Sequence, residues 1–219
     1  MKSVALIHTV KSVANTFEET LQKGLSEEVK VYNLLDEFLA KNPNEIGEFT
    51  IENRNRLFND VKTAEMTGAD VIVTTCSTLT PVIEMIRPFV KTPVIAIDDA
   101  MAKKSVTFGP KILVMATAES TIGPTKEKVG KEAAMAGIEP EISELVMMDA
   151  FKAMQALDME EHDRILRERA KAIKGYDCIV LAQASMAHME KEIQEITGCP
   201  TLSSPALCIA QVDAVLKEM

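Results

Sequence analysis

The stretch VIVTTCSTLTPVIEMI, Val71 to Ile86, puts a cysteine where an apolar run gives way to a helical pattern. The run predicts a strand and the pattern predicts a helix. Cys76 then stands just ahead of a helix N-terminus, where unpaired N–H groups and a positive partial charge favour thiolate. Thiolate is the form that attacks carbon or takes up a proton. The same N–H groups can hold a carboxylate. Ser77, Thr78 and Thr80 offer caps to that helix, and Pro81 suits its first turn. The bland alternative is a strand-end thiol packed as a small hydrophobe.

Other polar residues recur at similar junctions. The first apolar run ends in Ile7-His8-Thr9-Val10, so His8 has the reach to polarise a neighbouring thiol. Its structural alternative is a strand-end histidine satisfied by backbone. Thr9 and Ser12 are hydroxyl donors in the following loop, or caps. In the second half, VMATAESTIGPT supplies Thr117, Ser120 and Thr121 after a strand and near a helix start. These hydroxyls grip a carboxylate or cap the helix.

A later stretch, GYDCIVLAQASMAHMEKEI, carries Gln183 where the earlier one carries Cys76. An amide donates and accepts hydrogen bonds but does not titrate. It can orient a substrate or stabilise an oxyanion. Ser185, two positions on, is a hydrogen-bonding neighbour.

The remaining candidates read as structural. Cys178 sits inside a strand, Cys199 precedes Pro200 and Cys208 lies on a terminal helix, so all three are expected in the core. With no C-x-x-C pair and no Cys/His cluster, neither a disulfide framework nor a metal site is expected. His162 and His188 lie in polar helical stretches and are expected to be solvated. Asp98-Asp99 reads as a helix cap. Arg54 and Arg56 precede a helix and are either a carboxylate clamp or surface charge.

The elements that must position these groups are short Val- and Ile-rich runs alternating with longer amphipathic stretches. Strands are expected at Val4–Val10, Val29–Asn33, Val71–Thr75, Val94–Ile97, Ile112–Ala116, Glu139–Leu145, Cys178–Leu181 and Thr201–Leu202. Helical patterns such as Asn15–Gly24, Asn55–Thr67 and Asp158–Lys174 lie between them. Strands separated by helices imply crossover units and parallel sheets.

The halves match each other. Residues 68–86 align without a gap on 175–193, an offset of 107 (175 − 68), and the same offset carries Pro93 onto Pro200. Near the start of each half an offset of 108 (117 − 9) carries Thr9 onto Thr117. The expected fold is α/β: two pseudo-symmetric duplicated lobes, each a small parallel sheet flanked by helices. Residues 1–101 form the first lobe and 102–204 the second. Asp98–Gly109 links them, and the helix at 205–219 packs back on the first. A site is expected in a cleft between the lobes, beyond the carboxyl ends of the strands. The segment Asn42–Arg54 is expected to form loops that select the substrate.

Composition narrows the function classes. A net charge of -9 and a pI near 5.0 argue against a nucleic-acid partner, since such binding depends on Lys and Arg neutralising phosphates. No apolar stretch approaches the ~20 residues of a membrane span. MKSVALIHTVKSV reads as a first strand, not a signal peptide, and a cytoplasmic location is expected.

Taken together, GADVIVTTCST, ILVMATAEST and GYDCIVLAQASM resemble the aspartate/glutamate/hydantoin racemase superfamily over nearly the whole chain. The resemblance implies two duplicated lobes, no cofactor, a small-molecule carboxylate substrate and, commonly, a homodimer. In its racemases a cysteine from each lobe flanks the substrate. The first maps onto Cys76 with Ser77-Thr78, and the second onto Gln183. The polar end of the first strand maps onto His8-Thr9, and the Thr-rich loop of the second lobe onto Thr117 and Thr121. The resemblance thus assigns catalysis to Cys76, Gln183 and His8. Substrate binding falls to Thr9, Ser77, Thr78, Thr117, Thr121 and Ser185.

A racemase-like isomerase with one cysteine as acid/base or nucleophile is the leading expectation. A cofactor-independent decarboxylase of the same superfamily, or a non-catalytic carboxylate-binding protein, is the alternative.

Overall fold

Strands buried on both faces need apolar residues at every position, and both β3 (Val71–Thr74) and β7 (Cys178–Leu181) are buried at all of theirs. The computed structural model describes residues 1–219. It divides the chain into two compact units, Met1–Ile97 with Ala206–Met219, and Asp98–Pro205.

The first unit runs β1 (Ser3–His8), α1 (Lys11–Gly24), β2 (Lys30–Leu35), α2 (Phe38–Ile46), α3 (Ile51–Glu65), β3, α4 (Thr80–Ile86) and β4 (Val94–Ala96). The second runs α5 (Asp99–Ser105), β5 (Lys111–Ala116), α6 (Ile122–Met135), β6 (Glu141–Val146), α7 (Met148–Gln155), α8 (Met159–Ala170), β7, α9 (Glu190–Thr197) and β8 (Thr201–Ser203). The last helix, α10 (Ser204–Glu218), returns to the first unit for most of its length. Both sheets are four-stranded and wholly parallel, in orders β2-β1-β3-β4 and β6-β5-β7-β8.

The register carries the duplication seen in the sequence. Val4 pairs with Val71 in the first sheet, and Ile112 pairs with Cys178 in the second. Ile72 pairs with Val94, and Ile179 pairs with Thr201. These partners are related by the offsets of 108 for the first strand (112 − 4) and 107 for the others (179 − 72). The aligned aspartates do the same work twice. Asp70 Oδ2 accepts the Ser3 N–H at 2.7 Å, and Asp177 Oδ2 accepts the Lys111 N–H at 2.9 Å, so each ties a first strand to the head of a third. Gly109 has φ +145° and passes so near that carboxylate that a Cβ would lie 2.4 Å from Asp177 Oδ2.

Each unit fills its own core. Leu57 and Val61 of α3 and Ile83 of α4 pack on Ile7 and Ile72 in the first. Leu166 of α8 and Ile193 of α9 pack on Met115 and Ile179 in the second. α10 is tied to the first unit by Asp213, whose Oδ1 accepts the Ser26 N–H at 2.9 Å and its hydroxyl at 2.7 Å, and by Lys2 Nζ donating to the Leu216 carbonyl.

Three expectations change. Asp98–Gly109 is not a plain link: it holds α5, which belongs to the second unit, where Asp99 pairs with Lys128 of α6 at 2.9 Å. Asn42–Arg54 is not a run of loops either. Asn42 lies in α2, which tolerates Pro43 inside it, and Arg54 lies in α3. α3 starts at Thr50 because Thr50 and Asn53 form a capping box, a signal set three residues apart in the sequence. Finally, Cys76 is followed by a 3-10 turn, Ser77–Leu79, and only then by the seven-residue α4. The N-cap position of α4 is Leu79, whose side chain has no polar atom to cap with.

Candidate active site

In an open parallel sheet, ligands bind beyond the strand carboxyl ends where the strand order reverses. From β1 the chain proceeds to β2 on one side and later to β3 on the other, so the reversal lies between β1 and β3. Ile7 pairs with Thr74 there, which sets His8-Thr9 beside Thr75-Cys76. The second unit reverses between β5 and β7, where Met115 pairs with Leu181 and the next residues lead to Thr117 and Gln183.

In the first unit Cys76 is extended, with φ -137° and ψ 120°, and partly exposed. Its Sγ lies 3.0 Å from Thr78 Oγ1. Ser77 is buried beside it, and Thr9 is buried with a hydroxyl that finds no hydrogen-bond partner. A buried unpaired hydroxyl costs about 1–3 kcal/mol, which a bound acceptor would recover.

His8 does not bond to Cys76. It is fully buried, with Nδ1 2.8 Å from Thr75 Oγ1 and Nε2 3.0 Å from Asn33 Oδ1. The Asn33 amide nitrogen donates to Glu18 Oε2 at 2.6 Å, so its oxygen faces the ring. Nε2 therefore carries the proton, and Nδ1 is left as an acceptor for the Thr75 hydroxyl, whose other acceptor, the Ile7 carbonyl, is farther away at 3.3 Å. Burial lowers the imidazole pKa below its ordinary 6.5, outweighing the opposing effects of Asn33 and Glu18. The ring is a neutral spacer that fixes Thr75, the residue before the thiol.

A stability prediction follows from that shift. Below pH 6.5 the unfolded chain takes up a proton on His8 that the native chain resists, so the native state loses stability as pH falls through that value. Urea unfolding between pH 7.5 and pH 5.5 (about one unit either side of the ordinary imidazole value) is expected to show a smaller fall for His8→Asn than for the parent. An unchanged pH slope would remove the buried imidazole as its source.

In the second unit Gln183 Oε1 accepts three donors: the Thr117 N–H at 2.6 Å, the Thr117 hydroxyl at 3.0 Å and the Ala118 N–H at 3.0 Å. The loop after β5 is thus closed onto the glutamine, and the Thr117 donors that seemed open to a substrate carboxylate are occupied. Thr121 donates to the Ala118 carbonyl at 2.8 Å inside the turn Glu119–Thr121. Ser185 is half-buried in the 3-10 helix Ala184–Met189 that Gln183 leads into. Two N–H donors on the Gln183 amide remain without a protein acceptor.

Arg56 is not a free clamp. Its Nε donates to Asp36, whose backbone N–H bonds the His8 carbonyl at 2.8 Å. Burial and the neighbouring Asp36 carboxylate push Asp60 up to about 7. Cys178 is pushed up to about 12 by burial, and burial raises Cys199 too, so both are inert core thiols. His162 is completely buried rather than solvated. Thr75, Asn33 and Glu18 were missed as site residues. Asn33, a polar residue paired in register with Leu6 within an apolar strand, was the visible signal.

Comparison with known proteins places this geometry. The chain superposes on glutamate racemase isoform RacE1 from Bacillus anthracis with a TM-score of 0.72 at 13% identity, covering 99% of this chain and 82% of that one. The aspartate racemase of Picrophilus torridus gives 0.67 at 18% identity, covering 100% and 94%. The allantoin racemase of Klebsiella pneumoniae gives 0.63 at 15%, covering 100% and 89%. No curated protein matches the sequence significantly. The sequence model of Asp/Glu/Hydantoin racemase, however, matches residues 7–212, and the chain therefore belongs to that family.

Proposed function

We propose that the protein is an isomerase acting on a small carboxylate through a single thiol, Cys76. The observation that carries this is an asymmetry between duplicated positions. A partly exposed cysteine follows β3, and a glutamine with its oxygen fully engaged follows β7. Inversion by two thiols needs one to remove the α-proton and another to deliver a proton to the opposite face. Gln183 does neither, because an amide does not titrate near neutral pH. The other three cysteines are buried.

One thiol is sufficient for isomerising a double bond conjugated to a carboxylate. The Cys76 thiolate adds to the distal carbon, and the π electrons move onto the carboxylate as an enediolate. The former double bond rotates, and the returning electrons expel the thiolate. Thr9, with its unpaired hydroxyl, is the group we assign to the substrate carboxylate, and Thr78 stabilises the sulfur by its hydrogen bond.

Decarboxylation is the second reading, favoured by the same glutamine. Carbon dioxide leaves, the bonding pair stays behind as an enediolate, and the Cys76 thiol protonates one face.

Turnover in heavy water separates the cases, using cis-unsaturated diacids, substituted malonates, amino acids and hydantoins. Cis–trans conversion without deuterium in the product is the expected result. Loss of carbon dioxide with one deuterium gained would select the lyase. Deuterium at an α-carbon with loss of optical purity would reject single-thiol chemistry. No turnover, with a carboxylate raising the melting temperature, would mark a binding protein.

A further inference from the structure

The second unit holds a polar cluster that the proposed chemistry does not use. His162 and Asp163 lie on α8, and His188 lies in the 3-10 helix Ala184–Met189 that follows Gln183. A single oxygen, Asp163 Oδ1, meets His162 Nδ1 at 2.7 Å and His188 Nε2 at 2.8 Å. The three atoms lie within 4.8 Å of one another. The rings stack with centroids 6.1 Å apart and 29° between planes.

We propose that His162, Asp163 and His188 bind one divalent transition-metal ion of the Zn2+ class, which staples α8 to the segment carrying Gln183. The donor set decides the metal. Two imidazoles and one carboxylate suit Zn2+, Co2+ or Ni2+, whereas Mg2+ and Ca2+ prefer all-oxygen shells. Ligand atoms about 2.0–2.2 Å from a tetrahedral ion sit roughly 3.3 Å apart. Bringing the present donors to that spacing takes shifts of about half an ångström to one and a half at the side-chain tips, and no rearrangement of the helices is required.

Access and preorganisation also fit. His162 is buried with its side chain fixed, Asp163 is 18% exposed and His188 is 45% exposed. One face is therefore open to an ion and to the water that completes its shell.

To bind a metal, each ring must offer a lone pair to the cluster and carry its proton on the far nitrogen. His162 Nδ1 now bonds Asp163 Oδ1, so metal binding exchanges that hydrogen bond for a metal bond and moves the ring proton to Nε2, which is buried and has no hydrogen-bond partner. No proton is released if both rings are neutral; each ring proton changes nitrogen. The nearby Arg167 is paired with Glu192 and Arg164 with Glu161, so neither cation fills the site.

Titration of chelator-stripped protein with Co2+ tests this directly. The expected result is visible d–d absorption that saturates at one ion per chain, and displacement by Zn2+. The melting temperature should rise with Zn2+ but not with Mg2+ at the same concentration. His188→Ala, at a half-exposed position that the core does not need, and Asp163→Asn should each weaken Co2+ binding at least ~10-fold, the lower end of what even an outer-shell change costs. Binding that stays unsaturated into the millimolar range would show an adventitious ion only and overturn the site. So would saturable binding that both variants leave unchanged. Neither readout depends on turnover, so the metal site and the one-thiol mechanism fail or stand separately.

Discussion

Replacing Cys76 with alanine is expected to lower turnover about 10²–10⁴-fold, the range typical of losing a positioned proton-transfer group, with a larger loss if the thiol forms a bond to carbon. The fold should tolerate the change. The sulfur's one polar contact is Thr78 Oγ1 at 3.0 Å, and it packs only at the margin of the first unit's core. Removing one partly exposed atom costs about 1 kcal/mol at most. The signature is therefore a collapsed kcat with a nearly unchanged urea midpoint. Cys76→Ser sharpens the test. It keeps a hydroxyl beside Thr78 but replaces the thiol with a group that does not ionise near neutral pH, so it should be almost as inactive as alanine. A Cys76→Ala protein turning over within about threefold of the parent would move the chemistry elsewhere, since threefold is well under the smallest acid–base effect.

The architecture was legible because apolar runs buried on both faces have few alternatives. Cys178–Leu181 was readable as a strand from four residues, and it is one. The duplication was legible for a firmer reason: an ungapped offset preserves register, and Asp70 and Asp177 keep the same hydrogen bond to the first strand in both units. Local geometry was less so. Apolar periodicity places Pro81 in the first turn of α4, where it is, but does not show that a 3-10 turn, Ser77–Leu79, comes before it. Asn42–Arg54 is expected as loops, yet α2 continues through Pro43, with Leu39 buried to anchor it. Partnerships between side chains far apart in sequence were the least visible. Nothing in a linear reading joins Asn33 to His8, or His188 to Asp163, because those bonds form only when different elements pack. The same limitation made Thr117 look available, when Gln183 takes both its N–H and its hydroxyl.

That last contact sets up the second large effect. Gln183→Cys is expected to create α-proton exchange with loss of optical purity on an amino acid or hydantoin, from a parent background of none. Two changes act together. The substitution supplies a titrating group at the position duplicated from Cys76, and it withdraws the oxygen that now occupies Thr117 and Ala118. A cysteine is two atoms shorter and does not reach those three donors, so their N–H and O–H groups become free for a substrate carboxylate. Stability should fall by about 1–3 kcal/mol, because Thr117, which supplies two of the three donors, is fully buried. Gln183→Glu separates the two contributions. Its carboxylate accepts the same donors, so the loop and the stability should be kept, and accepting backbone N–H groups draws its pKa down and keeps it charged. That charge repels an anionic substrate, so the glutamate variant should raise KM without gaining exchange. If Gln183→Glu gained exchange as well, a second thiol would not be what inversion lacks here. If Gln183→Cys lost stability but gained nothing, the one-sided chemistry of this chain would rest on more than a missing sulfur. His8, held neutral by burial with both ring nitrogens engaged, would then be the next difference to examine, because it leaves the first strand end without a free acid or base.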